Sequence, residues 1–241
     1  MSFRRLFQNP SRKQAASKLR RRRLQMEGLE NRRVLAAYIN ELHFDPLFGS
    51  SDEDQYLEIR GEPGGTLNDG TYFVGIESAD GVGELGDVHT IIDLSGQSLG
   101  SNGMLVLLSK LKNQGLAGFE VDPNANVLAG SGDWTTVPGF SADGISKSIH
   151  AGSSTYLLVE SATPPTLTDD IDADNDGTPE GPYNNWTILD GFTTFPWVES
   201  LWDQRAYAPI VFAEDGVGDS VLPGATVIHT EQQAYAGRIG A

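Results

Sequence analysis

The sequence contains no cysteine, so disulfide frameworks and thiolate-bound zinc or iron–sulfur centres are excluded. Long apolar stretches are also missing, and the two longest runs cover residues 34–39 and 104–108. A membrane-spanning helix needs about 20 apolar residues, so we expect no transmembrane span. The 28 glycines and 12 prolines among 241 residues argue against a helical bundle.

Basic residues are scarce outside the first 33 positions. Residues 1–33 hold 11 of the 17 lysines and arginines and two acids, which gives a net charge of +9. Residues 34–241 hold six basic residues and 31 acids, which gives −25. An acidic surface repels phosphates, so we expect no nucleic-acid binding by this part. The sequence therefore predicts a basic leader, residues 1–36, before an acidic body, residues 37–241.

The leader carries arginine clusters at residues 20–23 and 32–33. No apolar run of about 7–15 residues follows the clusters, which excludes a conventional secretory signal and a twin-arginine signal. A basic arm that binds nucleic acid and a solvated, disordered tail are two open interpretations. Residues 14–35 contain no proline and one glycine, so a helix is compatible with this stretch.

Residues 20–37, RRRRLQMEGLENRRVLAA, resemble the N-terminal segment of many surface and secreted proteins of planctomycete bacteria. There, an arginine-rich stretch leads into a Leu-Glu-x-Leu-Glu-x-Arg-type motif. Residues 29–36 carry the match, whereas residues 25–27 depart from the first Leu-Glu. The resemblance implies an export segment and a secreted or cell-surface location.

The acidic body alternates short apolar runs with turn dipeptides such as Asp69-Gly70 and Asn102-Gly103, a pattern typical of an all-β sandwich or barrel. Leu57 and Ile59 should face the core. The run 104–108 is apolar on both faces and predicts a central, doubly covered strand. Residues 194–206 have some helical character. The predicted strands are 38–44, 55–60, 71–77, 89–94, 104–109, 155–160, 186–189, 209–213 and 225–230.

The first half of the body resembles a lamin-tail-type domain, an immunoglobulin-like β-sandwich of extracellular bacterial proteins. The resemblance is carried by five segments: YINEL (38–42), DP (45–46), DQYLEI (54–59), IDLSGQSLG (92–100) and NGMLVLL (102–108). Gln97-Ser98 stands where that family has an aromatic residue. The resemblance implies a lamin-tail-like core at residues 37–162, with residues 163–241 supplying a calcium-type loop and the closing strands.

The strongest chemical motif is DIDADNDG at residues 170–177. Asp172, Asp174 and Asp176 have the alternate spacing of calcium loops, and the following glycine allows the chain to turn back. Tyr183 occupies the position where an EF-hand has a bidentate acid. Glu180 and the distant Asp190 could complete the ligand set. We therefore predict a weak Ca²⁺ site, with Kd of about 10⁻⁴–10⁻³ M; an acid-rich surface loop without an ion is the alternative.

Other candidate motifs have more ordinary explanations. The GQSLG sequence at residues 96–100 matches a hydrolase nucleophile pattern. That pattern requires a turn from a strand to a helix, whereas this segment joins two predicted strands, so we interpret it as an ordinary turn. The four histidines are scattered, although Glu41, His43 and Asp45 should share one strand face. The aromatic residues Trp186, Phe192, Phe195, Trp197 and Trp202 suit a core more than a carbohydrate-stacking surface.

Together these features predict a secreted or cell-surface, non-catalytic module with an adhesion or envelope-structural role. Its ligand would be a surface or matrix polysaccharide or protein. The alternative is an accessory domain, or a shortened relative, of a secreted hydrolase of the nuclease or phosphatase type. No catalytic constellation stands above chance, which favours the first interpretation.

Overall fold

We describe the protein from a computed structural model. The described residues are 37–44, 55–80, 83–109, 121–144, 147–150, 152–195, 203–214, 220–230 and 235–238. All of them belong to the unit Val34–Ala241. The arginine clusters, the export motif and the helix predicted at residues 14–35 lie outside the described residues.

The described residues form fourteen strands and two short 3₁₀ turns, Trp134–Thr136 and Gly181–Asn185. No helix among them is long and apolar enough to cross a membrane. The strands are β1 (Ala37–His43), β2 (Tyr56–Gly61), β3 (Thr71–Glu77), β4 (Val88–Asp93), β5 (Met104–Leu108), β6 (Asn126–Ala129), β7 (Phe140–Ala142), β8 (Ser154–Glu160), β9 (Thr187–Phe195), β10 (Arg205–Ala206), β11 (Ile210–Ala213), β12 (Ser220–Val221), β13 (Thr226–His229) and β14 (Tyr235–Gly237).

Two sheets form the sandwich, as expected for an all-β chain. The five-stranded sheet has the order β14-β1-β2-β5-β6, and the seven-stranded sheet has the order β13-β11-β9-β8-β3-β4-β7. The neighbours in both sheets are antiparallel except for the pairs β5–β6, β9–β11 and β11–β13. A separate parallel pair joins β10 to β12.

The main core lies between the two sheets. Leu57 and Ile59 of β2 are fully buried there, as the alternation in this strand predicts. They pack in one cluster with Phe73 of β3 and Tyr156 of β8. Strands from both sheets therefore bury apolar side chains in a shared interior, which is the main driving force for this architecture.

The seven-stranded sheet is covered on its outer face as well. Val74, Ile76 and Leu157 point away from the main core into a second buried cluster. Ile171 and Tyr207, from the connections after β8 and β10, close this cluster. Every residue of β3 is consequently buried, and the long connection that carries the acid-rich motif is packed against the sheet.

The strand predictions agree with the structure except in three places. The short strands β6, β7, β10, β12 and β14 lack a strong apolar signature and were not expected. β9 continues to Phe195, well beyond the predicted end at residue 189. The helical character suggested for residues 194–206 is wrong at both described ends, because Phe195 and Arg205 lie in strands.

Candidate functional site

The acid-rich motif lies in the connection between β8 and β9. Ile171, immediately before the first predicted ligand, is buried in the outer cluster. Its amide donates to the Gly86 carbonyl (3.0 Å), and the Val88 amide donates to the Asp169 carbonyl (2.9 Å). These bonds attach the motif to the start of β4.

A further backbone bond closes the loop, from the Glu180 amide to the Ile171 carbonyl (2.6 Å). Within the loop, Asn175 has φ +56° and Gly177 has φ +85°. Both values are left-handed, and glycine adopts them without the steric cost of a Cβ. The chain therefore turns back sharply between residues 171 and 180, as the motif predicts.

The three aspartates of the motif converge. One carboxylate oxygen from each of Asp172, Asp174 and Asp176 lies within 4.8 Å of the other two. Ca²⁺ binds oxygen at about 2.3–2.6 Å, so two ligands on opposite sides of one ion stand about 5 Å apart. The donor set is hard and anionic, and its spacing fits a single Ca²⁺ ion.

Asp172 differs from the other two because its side chain is fully buried. Its Oδ2 accepts hydrogen bonds from the Tyr207 hydroxyl (2.7 Å) and the Gly177 amide (2.9 Å). Its Oδ1 accepts one from the Asp176 amide (3.0 Å). Burial and the hydrogen bond to Asp172 raise the pKa of Tyr207 above its ordinary value, so the phenol keeps its donor proton. Asp172 is thus held in one orientation.

Glu180 does not belong to the group of converging oxygens, and its side chain is exposed. Its observed contribution is the backbone bond that closes the loop. Asp190 is engaged elsewhere, since it accepts the Ile39 amide (2.9 Å) and pairs with Arg238 (2.5 Å). Three carboxylates therefore converge, and backbone carbonyls or water would have to supply the remaining ligands of an ion that takes six to eight oxygens.

A second polar cluster was not anticipated from the sequence. Glu77 ends β3, His89 lies near the start of β4, and His150 lies just before β8; the first two are 5% exposed. The two imidazole rings are 4.9 Å apart between centroids, and His150 Nδ1 is 4.0 Å from Glu77 Oε2. Because these positions are separated in the chain, no spacing pattern in the sequence predicts the cluster.

The environment of this cluster shifts its proton affinities. Burial raises the pKa of Glu77 to about 7, against the opposing backbone hydrogen bonds from Ala79 and Ser78. Burial also lowers the pKa of His89 well below its ordinary value, and the neighbouring His150 adds to this effect. The pKa of His150 is lowered by burial, which outweighs the opposing charge of Asp143.

The other predicted motifs have structural positions that account for them. The GQSLG segment connects β4 to β5, so it joins strand to strand as a turn, and Ser98 forms an isolated bridge with Thr66. Glu41 and His43 lie opposite Glu58 and Tyr56 across the β1–β2 pair and do share a face. Asp45 lies outside the described residues.

The described members of the aromatic group are core residues. Trp186, Phe192 and Phe195 are buried in three different apolar clusters and do not form one exposed platform. Trp197 and Trp202 lie outside the described residues. The run 104–108 forms β5, between β2 and β6, with Leu105 and Leu107 on one face, and Val106 and Leu108 on the other, buried in separate clusters.

The fold and this loop define an all-β sandwich module with one candidate cation site among its described residues. Residues 20–39 match the family model described as Planctomycete extracellular. The chain is thus similar over this segment to planctomycete extracellular proteins, and its location is extracytoplasmic, secreted or at the cell surface. No curated protein and no solved structure matches the chain.

Proposed function

We propose that this protein is a non-catalytic extracellular β-sandwich module that Ca²⁺ stabilises at Asp172, Asp174 and Asp176. Its role is adhesion or envelope structure, through a polysaccharide or protein ligand. The observation that carries the proposal is the convergence of three carboxylates, one of them buried, in a protein that is located outside the cytoplasm.

Electrostatics support a cation at this loop. Residues 34–241 carry a net charge of −25, and within the described part of the chain no basic side chain forms an ion pair with any of the three aspartates. Converging carboxylates repel one another, and this repulsion is strongest where Asp172 is shielded from water. A divalent ion would neutralise the group, and millimolar calcium outside the cell suits a weak site.

The expected stabilisation follows from mass action. For a Kd of about 10⁻⁴ M, 1 mM Ca²⁺ stabilises the folded state by about 1.4 kcal/mol. For a domain of this size, that corresponds to a rise in melting temperature of about 3–6 °C. The measurement is thermal unfolding of the full chain in 1 mM calcium, in 1 mM magnesium and in a chelator. A saturable rise with calcium supports the site.

The double variant Asp174→Asn/Asp176→Asn should abolish this calcium-dependent rise. The control is Glu62→Gln/Asp69→Asn, which also removes two exposed negative charges but lies outside the loop. If general charge screening were the cause, both double variants would reduce the rise equally. An undiminished rise in the loop variant would refute the site assignment.

The adhesion role has its own test. Purified full chain is mixed with isolated planctomycete envelopes, sedimented, and quantified with calcium and with a chelator. We expect calcium-dependent co-sedimentation, weakened in the Asp174→Asn/Asp176→Asn variant because the loop loses its ion. Recovery of all the protein in the supernatant under both conditions would contradict an envelope ligand.

The export role of the leader is part of the proposal. Deletion of residues 1–33 removes the +9 segment and most of the stretch that matches the extracellular family. We expect the shortened protein to remain in the cytoplasm, as measured by cell fractionation. Secretion at the normal level without the leader would refute this role.

The lamin-tail-type interpretation of residues 37–162 also belongs to the proposal. What supports it is that β1, β2 and β5, which include or closely follow the segments that carry the resemblance, are neighbours in one sheet. An experimental structure would test it, because a lamin-tail relationship requires the same strand order and the same inward-facing positions.

A further inference from the structure

The cluster of Glu77, His89 and His150 joins separate segments at one end of the seven-stranded sheet. The register of β3 with β4 pairs Gly75 with Thr90 and Ile76 with Val88, so His89 is the extra residue of a bulge. A bulge redirects a side chain out of the regular alternation. Here it places the His89 ring beside His150, with 4.9 Å between the ring centroids.

The His89 ring has one satisfied nitrogen. Its Nδ1 lies 2.9 Å from the Thr90 hydroxyl, whereas its buried Nε2 has no hydrogen-bond partner among the described residues. A neutral imidazole has one N–H donor and one acceptor nitrogen, whereas a protonated ring has two N–H donors that each need an acceptor. Protonation would therefore bury a positive charge; the Ile76 backbone favours the charged ring, but burial outweighs it and lowers the pKa of His89.

The ionised form of Glu77 is also poorly stabilised. Its Oε1 is 3.4 Å from the Ala79 amide, and its Oε2 is 4.0 Å from His150 Nδ1, which also faces the Ser154 hydroxyl at 3.1 Å. These contacts stabilise a carboxylate weakly. The neutral carboxyl group is the form that this environment favours.

The charged groups around the cluster are mostly acidic. Asp143, after β7, and Asp87, before β4, both raise the pKa of Glu77 by charge repulsion. On the segment beside Ser78, the Arg205 guanidinium lies 3.7 Å from Asp203. Lys147 precedes His150 and is exposed. The described surroundings are thus negative and disfavour ionisation of the Glu77 carboxyl.

We propose that Glu77, His89 and His150 form a largely buried unit in which the Glu77 carboxyl is protonated and both imidazoles are neutral, and that this unit sets the pH at which the sandwich is most stable. Loss of the Glu77 proton leaves a buried carboxylate with weak donors. Addition of a proton to either ring creates a poorly solvated imidazolium beside a neutral acid.

The two limbs of the pH dependence have opposite signs. Glu77 has a raised pKa in the folded state, so its stabilising contribution is complete below about pH 4.5 and is lost as the pH rises through about 7. The histidines have lowered pKa values, so their contribution is complete above about pH 6.5 and is lost as the pH falls. The contribution of Glu77 falls from about pH 4.5 to 7 while that of the two histidines rises up to about pH 6.5, so stability should be greatest at about pH 6.5–7.

The test is urea unfolding of the full chain between pH 4 and 9, combined with NMR titration of the histidine ring protons. Between pH 6 and 8 the Glu77 shift contributes about a 10-fold rise in the unfolding constant, whereas the two histidines act in the opposite direction. Glu77→Gln isolates the first contribution because the amide stays neutral, so the ratio of the wild-type unfolding constant to that of Glu77→Gln should rise about 10-fold from pH 6 to 8. His150→Gln should reduce the loss of stability on acidification and leave the alkaline limb in place.

His229→Gln is the control, since this histidine is exposed on β13 outside the cluster, and it should leave both limbs unchanged. A ratio of wild-type to Glu77→Gln unfolding constants that is the same at pH 6 and pH 8 would overturn the proposal. If a variant does not fold, the wild-type titration decides: ring protons of His89 and His150 that titrate near pH 6.5 would also overturn it.

Discussion

Two buried carboxylates lie beside the same sheet in different surroundings. Asp172 receives three hydrogen bonds of 2.7–3.0 Å, from one hydroxyl and two amides. The Glu77 carboxyl has the backbone amides of Ser78 and Ala79 as nearby donors, the latter at 3.4 Å. Burial raises the pKa of Glu77 to about 7. The two acids therefore differ in the number and length of their donor contacts, and such contacts, together with burial, influence how well a carboxylate charge is tolerated.

The same comparison separates the region for which we propose a bound cation from the region for which we propose a bound proton. The Asp172 loop orients its carboxylate toward two further acids, so it presents converging oxygens. The Glu77 region presents one acid and two imidazoles, each more stable without charge. Three variants, measured by urea unfolding in a chelator at pH 8, would test the contrast.

The largest effect is expected from Asp172→Asn. The substitution keeps the shape but replaces one acceptor oxygen with an NH₂ donor that faces existing donors, so we expect a loss of about 2–4 kcal/mol. Glu77→Gln, also isosteric, should raise stability at this pH. Asp174→Asn, in the same loop but exposed, should change stability by less than about 0.5 kcal/mol. Equal losses at Asp172 and Asp174 would remove the basis of the comparison.

An intermediate effect is expected from Gly86→Ala, at the contact between β4 and the acid loop. Gly86 has φ +87°, and an added Cβ would lie 2.7 Å from the Asp172 amide nitrogen and 2.8 Å from Asp170 Oδ1. We expect a loss of about 2.5 kcal/mol from strain and displacement of the loop.

The matched control is Gly64→Ala, with φ +69° and nothing within 4 Å of the added Cβ. It carries the backbone strain alone and should cost about 1 kcal/mol. Similar losses at the two positions would show that the packing of the loop against Gly86 contributes little.

The smallest of the three effects is expected from Tyr207→Phe, which removes one of the three donors to Asp172. A hydrogen bond to a charged group contributes about 1.5–3 kcal/mol, and we expect a loss near the middle of this range. Tyr183→Phe removes a nearby phenol that donates to the Tyr207 carbonyl at 3.4 Å, so it should cost under about 1 kcal/mol. A larger loss at Tyr183 would contradict the role given to Tyr207.

The local features of the acid loop could be predicted from the sequence. The alternation of aspartates and the following glycine indicate both the ligands and the turn, because these depend on neighbours within a few residues. The burial of Asp172 and its bond to Tyr207 could not be predicted. They depend on a contact between positions 35 residues apart, which only the packing of the outer cluster creates.

The same limit applies to the strands. β2 and β5 carry their own apolar patterns and were predicted nearly to the residue. β6 and β14 are short and have weak patterns, and they form strands because β5 and β1 offer free edges for hydrogen bonding. The cluster of Glu77, His89 and His150 likewise results from a bulge in β4 that no local pattern indicates.

By itself the sequence determined the charge division, the all-β class, the strong strands and the acid motif, since composition and short-range periodicity encode these properties. The tertiary structure decided which acids are buried, which groups donate hydrogen bonds to them, and which histidine rings lie in contact. Those features arise where segments distant in sequence pack together, and their energies depend on the exclusion of water there.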